Sequence, residues 1–178
     1  MQNFIKGVLG SFVLHLVFGL LAFGLVFLFT KEFGNASEEL LLVLVDAEDQ
    51  EMQVMAFLTE ARNQLGEWVG PVMGVSFLLS VLFLGLAQQT MPSTPAEAKS
   101  KFGLWVGLLV LLFIIAAAWW WFAVGSPEAG YALVFGNYAL IVISTFLLML
   151  LGYFLSTAVF VKSTMVPSVP GASLLRGK

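Results

Sequence analysis

Four long stretches of apolar residues constrain the fold of this chain more than any other feature of its sequence. They run from about Phe4 to Thr30, from Trp68 to about Ala87, from Phe102 to Val124, and from Tyr131 to Val161. A helix that crosses a bilayer needs about 20 mostly apolar residues, and each stretch meets that length. The sequence therefore predicts an all-α integral membrane protein whose membrane domain, residues 1–162, contains four transmembrane helices.

The composition excludes several classes of protein. The chain is 60% hydrophobic and 11% charged, whereas a soluble domain is about 45–50% apolar and about 25% charged. So few polar residues cannot cover the surface of a soluble globular domain of this size. The absence of cysteine excludes disulfides, thiolate metal sites and the disulfide-generating four-helix membrane oxidoreductases. The net charge of −3 gives no indication of nucleic-acid binding. Because the predicted spans lie in a membrane, the expected partners are the lipid bilayer and other membrane-protein subunits.

The first apolar stretch also allows a second interpretation, because a basic residue, Lys6, precedes it as in a signal peptide. The apolar region of a signal peptide spans about 7–15 residues and ends at a cleavage site of small residues. The stretch here is far longer, and no A-x-A pattern follows it. These features favour a retained transmembrane helix.

The basic residues predict how the helices are oriented. If the N-terminus is cytoplasmic, the cytoplasmic segments hold six of the eight basic residues, and ten of the eleven acidic residues lie on the other side. Cytoplasmic segments of membrane proteins carry an excess of Lys and Arg. We therefore expect both termini to be cytoplasmic and the membrane to be a bacterial-type inner (plasma) membrane. The six residues are Lys6, Lys99, Lys101, Lys162, Arg176 and Lys178.

The segment 31–67 is the largest part outside the predicted spans, and it is acidic. From Glu51 onward its apolar residues recur every three or four positions, which predicts an amphipathic non-cytoplasmic helix between the first and second spans. Anionic lipid prefers Lys and Arg to acidic residues, so a partner protein is the favoured contact. The alternative is that the stripe packs on the ends of this chain's own helices. The stripe consists of Val54, Leu58, Ala61, Leu65 and Trp68.

Two connections and the C-terminal tail carry local signals. The sequence Thr94-Pro95-Ala96-Glu97 reads as a capping box with proline at the first helical position. The connection 125–130 is so short that it predicts an antiparallel hairpin of the third and fourth spans. The cytoplasmic tail, residues 163–178, is rich in Ser, Pro and Gly, which is typical of disorder. If that tail is ordered, we expect another protein chain to hold it.

His15 is the only histidine and the only titratable side chain well inside a predicted span. An ionisable group at membrane depth suggests a function, and imidazole can ligate the metal of haem or chlorophyll. The simpler interpretation is a neutral His15 that hydrogen-bonds to a neighbouring helix. We favour the simpler one and predict no cofactor, with haem or chlorophyll as the alternative. A Ser–His dyad with Ser76 or Ser80 is possible, but serines four residues apart are ordinary interhelical hydrogen-bonding groups.

Small residues and tryptophans mark further candidate contacts. Pairs of small residues four positions apart, which let helices approach closely, occur in all four spans: Gly7 with Ser11, Gly70 with Gly74, Gly103 with Gly107, and Gly152 with Ser156. Near the outer end of the third span stand Trp119, Trp120 and Trp121. Tryptophan favours the membrane interface, and the alternative is a stacking surface for a pigment, a quinone or a lipid. The three tryptophans join the stripe of segment 31–67 as candidate partner contacts.

These observations predict a function without catalysis. The predicted spans contain no Asp or Glu, whereas proton relays, ion-coupled transporters and intramembrane aspartyl proteases need such residues there. We expect a non-catalytic accessory or structural subunit of a larger multi-subunit inner-membrane complex, such as a respiratory or photosynthetic one. In length, number of spans and cytoplasmic ends the chain also looks like the small subunit of tripartite substrate-binding-protein-dependent transporters. That resemblance implies a scaffold for a transport subunit.

Overall fold

The computed structural model describes the backbone of residues 2–41, 50–89, 92–123 and 138–176 and the side chains of residues 4–28, 66–89, 92–120 and 142–176. Within those ranges the chain is helical and contains no strand. We number the α-helices in chain order; a 3-10 helix lies between the last two. The elements are α1 (Gln2–Leu41), α2 (Gln50–Gln89), α3 (Pro95–Ser100), α4 (Phe102–Ala123), α5 (Tyr138–Phe160), the 3-10 helix (Ser163–Ser168) and α6 (Ala172–Leu175).

Four segments of these helices are long and apolar enough to cross a membrane, as the sequence predicted. They are Phe4–Leu28, Gly66–Gln89, Pro95–Trp120 and Val142–Phe160. The predicted fourth span began at Tyr131, and residues 131–137 and the connection 125–130 lie outside the described residues. The all-helical class and the four apolar helices are therefore confirmed.

Two of the helices are much longer than their apolar parts. The sequence placed the end of the first helix near Thr30 and a separate amphipathic helix before Trp68. Instead α1 continues to Leu41 and α2 begins at Gln50, so each contains 40 residues and is about 60 Å long. The segment predicted as a separate amphipathic helix is the first part of α2. The prediction missed this because hydropathy marks where the apolar residues end, not where the helix ends.

The helices α1, α2 and α5 pack against one another. A Cβ atom on Gly7 would lie 3.7 Å from Leu84 of α2, and one on Gly66 of α2 would lie 3.6 Å from Phe23. Residue numbers rise along α1 where they fall along α2, so these helices are antiparallel. A Cβ atom on Gly7 would also lie 3.3 Å from Phe160, near the end of α5. The start of α1 thus lies beside the end of α5.

The α4 helix packs against α2 and α5. Trp105 of α4 bonds to Thr157 of α5, and Phe113 stacks on Phe146 with ring centroids 6.0 Å apart. These pairs show that α4 and α5 are antiparallel, as the short connection predicted. We call the end of the bundle where α1 begins and α5 ends the basic end, because it carries Lys6, Lys99, Lys101, Lys162 and Arg176.

The connection at the basic end forms the short helix α3 through a side-chain cap. The hydroxyl of Thr94 accepts a hydrogen bond from the backbone N–H of Glu97 at 3.2 Å. The Glu97 carboxylate accepts bonds from the backbone N–H and the hydroxyl of Ser93, both at 2.8 Å. The predicted cap is confirmed, with Glu97 reaching one residue further back than in a standard capping box.

Removing this cap gives a first testable prediction. We expect Thr94→Ala to lower the free energy of unfolding by about 1 kcal/mol, since the N–H of Glu97 loses its acceptor. Thr94→Ser keeps the hydroxyl and is the matched control. Detergent-induced unfolding of the purified chain measures both, and equal stability of the two variants would show that the cap contributes nothing.

The C-terminal tail folds onto this chain's own helices. Its 3-10 helix packs against α3, and a set of its side chains is buried within the chain. The expectation that another protein chain holds the tail is therefore corrected: the described tail, up to Arg176, is held by the bundle itself. Gly171 makes the last turn with a φ of 67°, a conformation that glycine adopts without strain. The buried tail residues are Met165, Val166, Ser168, Val169 and Ala172.

Candidate functional site

His15 lies in the middle of the bundle, where α1 faces both α2 and α5. Its side chain is 5% exposed. Nδ1 lies 2.8 Å from the backbone oxygen of Ser11, and Nε2 lies 2.9 Å from the hydroxyl oxygen of Ser76 on α2. Both ring nitrogens therefore have hydrogen-bonding partners within this chain.

The partners of His15 define where its protons lie. The Ser11 carbonyl can only accept, so Nδ1 carries a hydrogen and donates it. In the neutral ring, Nε2 then accepts from the Ser76 hydroxyl. That hydroxyl also lies 3.1 Å from the backbone oxygen of Met149, to which it donates if Nε2 is protonated. The cluster can thus satisfy either protonation state by turning one hydroxyl hydrogen.

Further buried hydroxyl groups surround the ring. The Ser156 hydroxyl of α5 lies 3.3 Å from Nδ1, and the Ser11 hydroxyl lies 3.5 Å from the same atom. The Ser80 hydroxyl donates to the backbone oxygen of Ser76 at 2.8 Å. We call Ser11, His15, Ser76, Ser80 and Ser156 the His15 cluster. Its members come from α1, α2 and α5, so it joins three helices by hydrogen bonds.

Glycine makes room for the ring. A Cβ atom on Gly152 would lie 3.2 Å from both Cδ2 and Nε2 of His15, closer than an ordinary contact. This position belongs to the pair Gly152 and Ser156, and the pair Gly7 and Ser11 lies at the same interface of α1 and α5. Close approach is thus confirmed for these two pairs, whereas Gly74, Gly103 and Gly107 have open space where a Cβ would stand.

The cluster has the distances of a nucleophile and a base, but not the access. Ser76 and His15 lie within hydrogen-bonding reach, as catalytic Ser–His pairs do. Ser76 is fully buried between helices, so a substrate would have to displace packed side chains to reach it. In the part of the chain that is described, no three His, Asp or Glu side chains come together as a metal site. Hydrogen bonding between helices is the chemistry that this arrangement supports.

An open groove of about 240 Å³ lies between α1 and α2, beside His15. Its walls are almost entirely apolar. Three of its lining residues are glycines, and the groove is open because they have no side chains to fill it. Neither ring nitrogen of His15 is free to bind an occupant, because both are hydrogen-bonded within the chain. The lining residues are Phe12, His15, Leu16, Gly19, Leu20, Phe23, Gly70, Met73, Gly74 and Phe77.

The predicted partner-contact residues differ in how exposed they are. Trp68 is fully buried inside the bundle, where its indole N–H donates to the backbone oxygen of Ala116 of α4 at 3.3 Å. A partner would therefore not touch Trp68 directly. Trp119 is 46% exposed and Trp120 is half-buried. The side chains of the remaining candidates, Val54, Leu58, Leu65 and Trp121, lie outside the described residues.

A second polar link, between α4 and α5, is absent from the sequence-based predictions. The Trp105 indole N–H donates to the Thr157 hydroxyl at 2.9 Å, and the Tyr153 hydroxyl donates to the Trp105 backbone oxygen at 3.1 Å. All three side chains are buried. The sequence feature that could have predicted this link is a tyrosine and a threonine four positions apart within an apolar span. A buried tyrosine hydroxyl usually has a hydrogen-bonding partner, so the pair indicates a polar contact with another helix.

No protein-family model, no curated protein and no solved structure matches this chain.

Proposed function

We propose that this chain is a non-catalytic subunit of a larger multi-subunit inner-membrane complex, in which it holds other membrane subunits in place. The observation that carries the proposal is that His15, the histidine inside the bundle, has hydrogen-bonding partners for both ring nitrogens within this chain. His15 uses both ring nitrogens on Ser11 and Ser76, and residues 68–89 and 142–160 contain no charged residue. A transport or proton pathway through these helices would need exposed polar or ionisable groups.

The outer surface of the bundle supports an assembly role. Leu9, Leu20 and Leu28 of α1 are among its most exposed large apolar residues, and they suit lipid or a neighbouring apolar helix. The groove between α1 and α2 offers a shaped surface beside them. Gly70 and Gly74 lie four residues apart there, a spacing that lets a second helix approach the backbone closely. We propose this groove as the seat of a partner helix.

The orientation proposed for the chain places the basic end in the cytoplasm. Its support is that Lys6, the connection before α4 and the start of the tail come together at one end of the bundle. Cytoplasmic segments of inner-membrane proteins carry such an excess of basic residues. Labelling with a membrane-impermeant reagent in intact cells tests this orientation. If the basic end reacts from outside the cell, the proposed orientation is wrong.

The assembly proposal is tested by native mass measurement after purification in mild detergent at native expression. We expect a defined species that contains this chain and other membrane subunits, and a monodisperse monomer would overturn the proposal. The identity of the co-purifying subunits separates an energy-transducing complex from a transporter. A large multi-span transport subunit would favour the transporter.

A substitution in the groove tests where the partner binds. We expect Gly74→Leu to lower the association constant of the chain for the complex about tenfold, equivalent to about 1.4 kcal/mol, because the new side chain fills the groove. A Cβ atom at Gly74 meets nothing within 4 Å in this chain, so the substituted side chain starts in open space and not against a neighbouring helix. Gly107→Leu is the matched control, since Gly107 of α4 is also a helical glycine with open space around it.

Native mass measurement of both variants gives the outcome. Loss of the complex in Gly74→Leu alone supports the groove as the contact. Assembly that survives in Gly74→Leu and fails in Gly107→Leu would move the contact to the face of α4. Unchanged assembly in both would exclude each glycine as a contact.

A further inference from the structure

The C-terminal tail returns alongside α5 instead of extending away from the bundle. The Arg176 guanidinium donates to the backbone oxygen of Val159 at 2.9 Å. A Cβ atom on Gly171 would lie 3.6 Å from the ring tip of Phe154. Phe154 lies about 9 Å before the end of α5 at Phe160, by the rise of a helix. The tail therefore folds back after α5, and α6 lies beside the last turns of α5.

The last turns of α5 fall inside its apolar part. The segment Val142–Phe160 is one of the four that are long and apolar enough to cross a membrane, and Val159 near its end is exposed. A residue of α6 that points away from the bundle at this level therefore meets the same surroundings as the last turns of α5. Those surroundings are the boundary of acyl chains and headgroups if α5 spans a bilayer.

The side chains of α6 fit that boundary. Leu174 is 85% exposed and Leu175 is 51% exposed, while Ala172 on the same short helix is buried against the chain. Leu174 lies on the opposite side of this short helix from Ala172, so it cannot turn inward without releasing Ala172. Exposed leucines with basic residues beside them are the side chains that segments in the plane of the interface use.

The charges around α6 favour anionic lipid as the occupant of this surface. Lys99 and Lys101 lie on the connection before α4, Lys162 directly precedes the 3-10 helix, and Arg176 directly follows α6. The acidic residue described at this end is Glu97, whose carboxylate already accepts two bonds from Ser93. Basic groups beside the headgroups are attracted to anionic lipid.

We propose that the C-terminal tail is an interfacial anchor: Leu174 and Leu175 insert into the leaflet at the basic end, and the neighbouring Lys and Arg residues bind anionic lipid headgroups. The anchor goes beyond the assembly role proposed above and rests only on the membrane location of α5. It would fix the depth of the basic end in the bilayer.

Depth measurement with a spin label tests the anchor. Because the chain contains no cysteine, Leu174→Cys gives one labelling site in the full-length protein, reconstituted in nanodiscs of mixed anionic and zwitterionic phospholipid. Collision rates with oxygen, which concentrates in lipid, and with a water-soluble nickel chelate report the depth. We expect a ratio of oxygen to nickel accessibility several-fold higher at position 174 than at Thr164→Cys, an exposed position of the 3-10 helix.

A third label separates failure of the anchor from failure of the membrane location. Leu20→Cys reports on an exposed position in the middle of α1. A lipid-exposed label at 20 with a water-exposed label at 174 would overturn the anchor alone, whereas water exposure at both would overturn the membrane location as well. A label at 174 that neither reagent reaches would show that protein, such as a second copy, covers the leucines, and would also overturn the anchor.

The lipid preference has its own measurement. We expect the label at 174 to lie deeper in nanodiscs with anionic lipid than in purely zwitterionic ones, and Lys162→Gln to reduce that difference. Equal depth in the two lipids would remove the headgroup part of the proposal. The insertion of the leucines would then rest on the first measurement.

Discussion

Trp68→Ala is expected to lower the free energy of unfolding of the bundle by about 3 kcal/mol, the largest effect of any single truncation proposed for this chain. Trp68 is fully buried, and its ring lies 5.5 Å from that of Phe146 of α5. Its indole N–H also bonds to the backbone oxygen of Ala116 of α4. One side chain of α2 therefore contacts both α4 and α5.

The physical reason is the cavity rather than the hydrophobic effect. Lipid tails are as apolar as the bundle interior, so burying Trp68 gains little from leaving water. The alanine variant loses the dispersion contacts of a large ring, because the helices around the vacant space close only partly. It also leaves the Ala116 carbonyl without the indole donor, which adds about 1 kcal/mol.

Detergent-induced unfolding of the purified chain measures this effect against two controls. Trp119→Ala removes the same side chain from an exposed position of α4 and should leave the free energy of unfolding nearly unchanged. Trp68→Phe keeps most of the ring and should lose about 1 kcal/mol, the contribution of the indole hydrogen bond. Equal losses in Trp68→Ala and Trp119→Ala would contradict the packing described for Trp68.

The sequence predicted the apolar helices well because each is defined by its own composition. Stretches without charge, such as 142–160, can be helical in lipid without help from neighbours. The cap at Thr94 was predictable for a related reason, since its bonds join residues within one turn. The ends of α1 and α2 were not predictable from hydropathy, because the polar residues 31–41 and 50–67 allow a helix to continue without an apolar signal.

The contacts between helices depend on information that lies far apart in the chain. The sequence predicted that His15 faces another helix and that small residues mark close approaches. It offered Ser76 or Ser80 of α2 as a partner without deciding between them, and it did not identify Ser156 of α5, because each span contains several polar or small residues. The position of Trp68 shows the same limit. Its spacing in the sequence fits an apolar stripe that faces a partner as well as it fits a helix face buried inside the bundle.

The tail shows that composition can mislead where a few side chains are enough. Residues 163–178 are poor in apolar residues, which predicts disorder. Yet Met165, Val166 and Val169 are spaced so that one face of the tail is apolar, and all three are buried. The bundle end supplies the surface that covers them, and no single-segment pattern reveals that surface.

His15→Leu is expected to lower the free energy of unfolding by about 0.6–2 kcal/mol, the range of an interhelical hydrogen bond in a membrane bundle. The leucine fills much of the space of the ring but offers nothing to the Ser76 hydroxyl. The loss is limited because that hydroxyl can turn and donate to the Met149 backbone oxygen, which lies 3.1 Å away. His15→Gln retains a polar group that can reach across to α2 and should cost less than the leucine variant.

A double-mutant cycle isolates the bond between the two helices. His15→Leu and Ser76→Ala remove opposite ends of the same contact, so we expect their combined cost to be smaller than the sum of the single costs. Ser80→Ala is the control, because Ser80 bonds to a backbone oxygen of its own helix. Its cost should add to that of His15→Leu, and strict additivity in both cycles would show that the Ser76 contact carries no energy.

The same variants decide between hydrogen bonding and ligation by His15. A haem or chlorophyll metal would need a ring nitrogen lone pair, and Nε2 could provide it only by giving up the Ser76 hydroxyl. If His15 ligates a pigment, both His15→Gln and His15→Leu should abolish a visible absorption band of the purified native assembly. If His15 serves only the bundle, the assembly should be colourless, or should keep its band in both variants. We expect the outcome for a His15 that serves only the bundle, because both ring nitrogens already have partners within 3 Å in this chain.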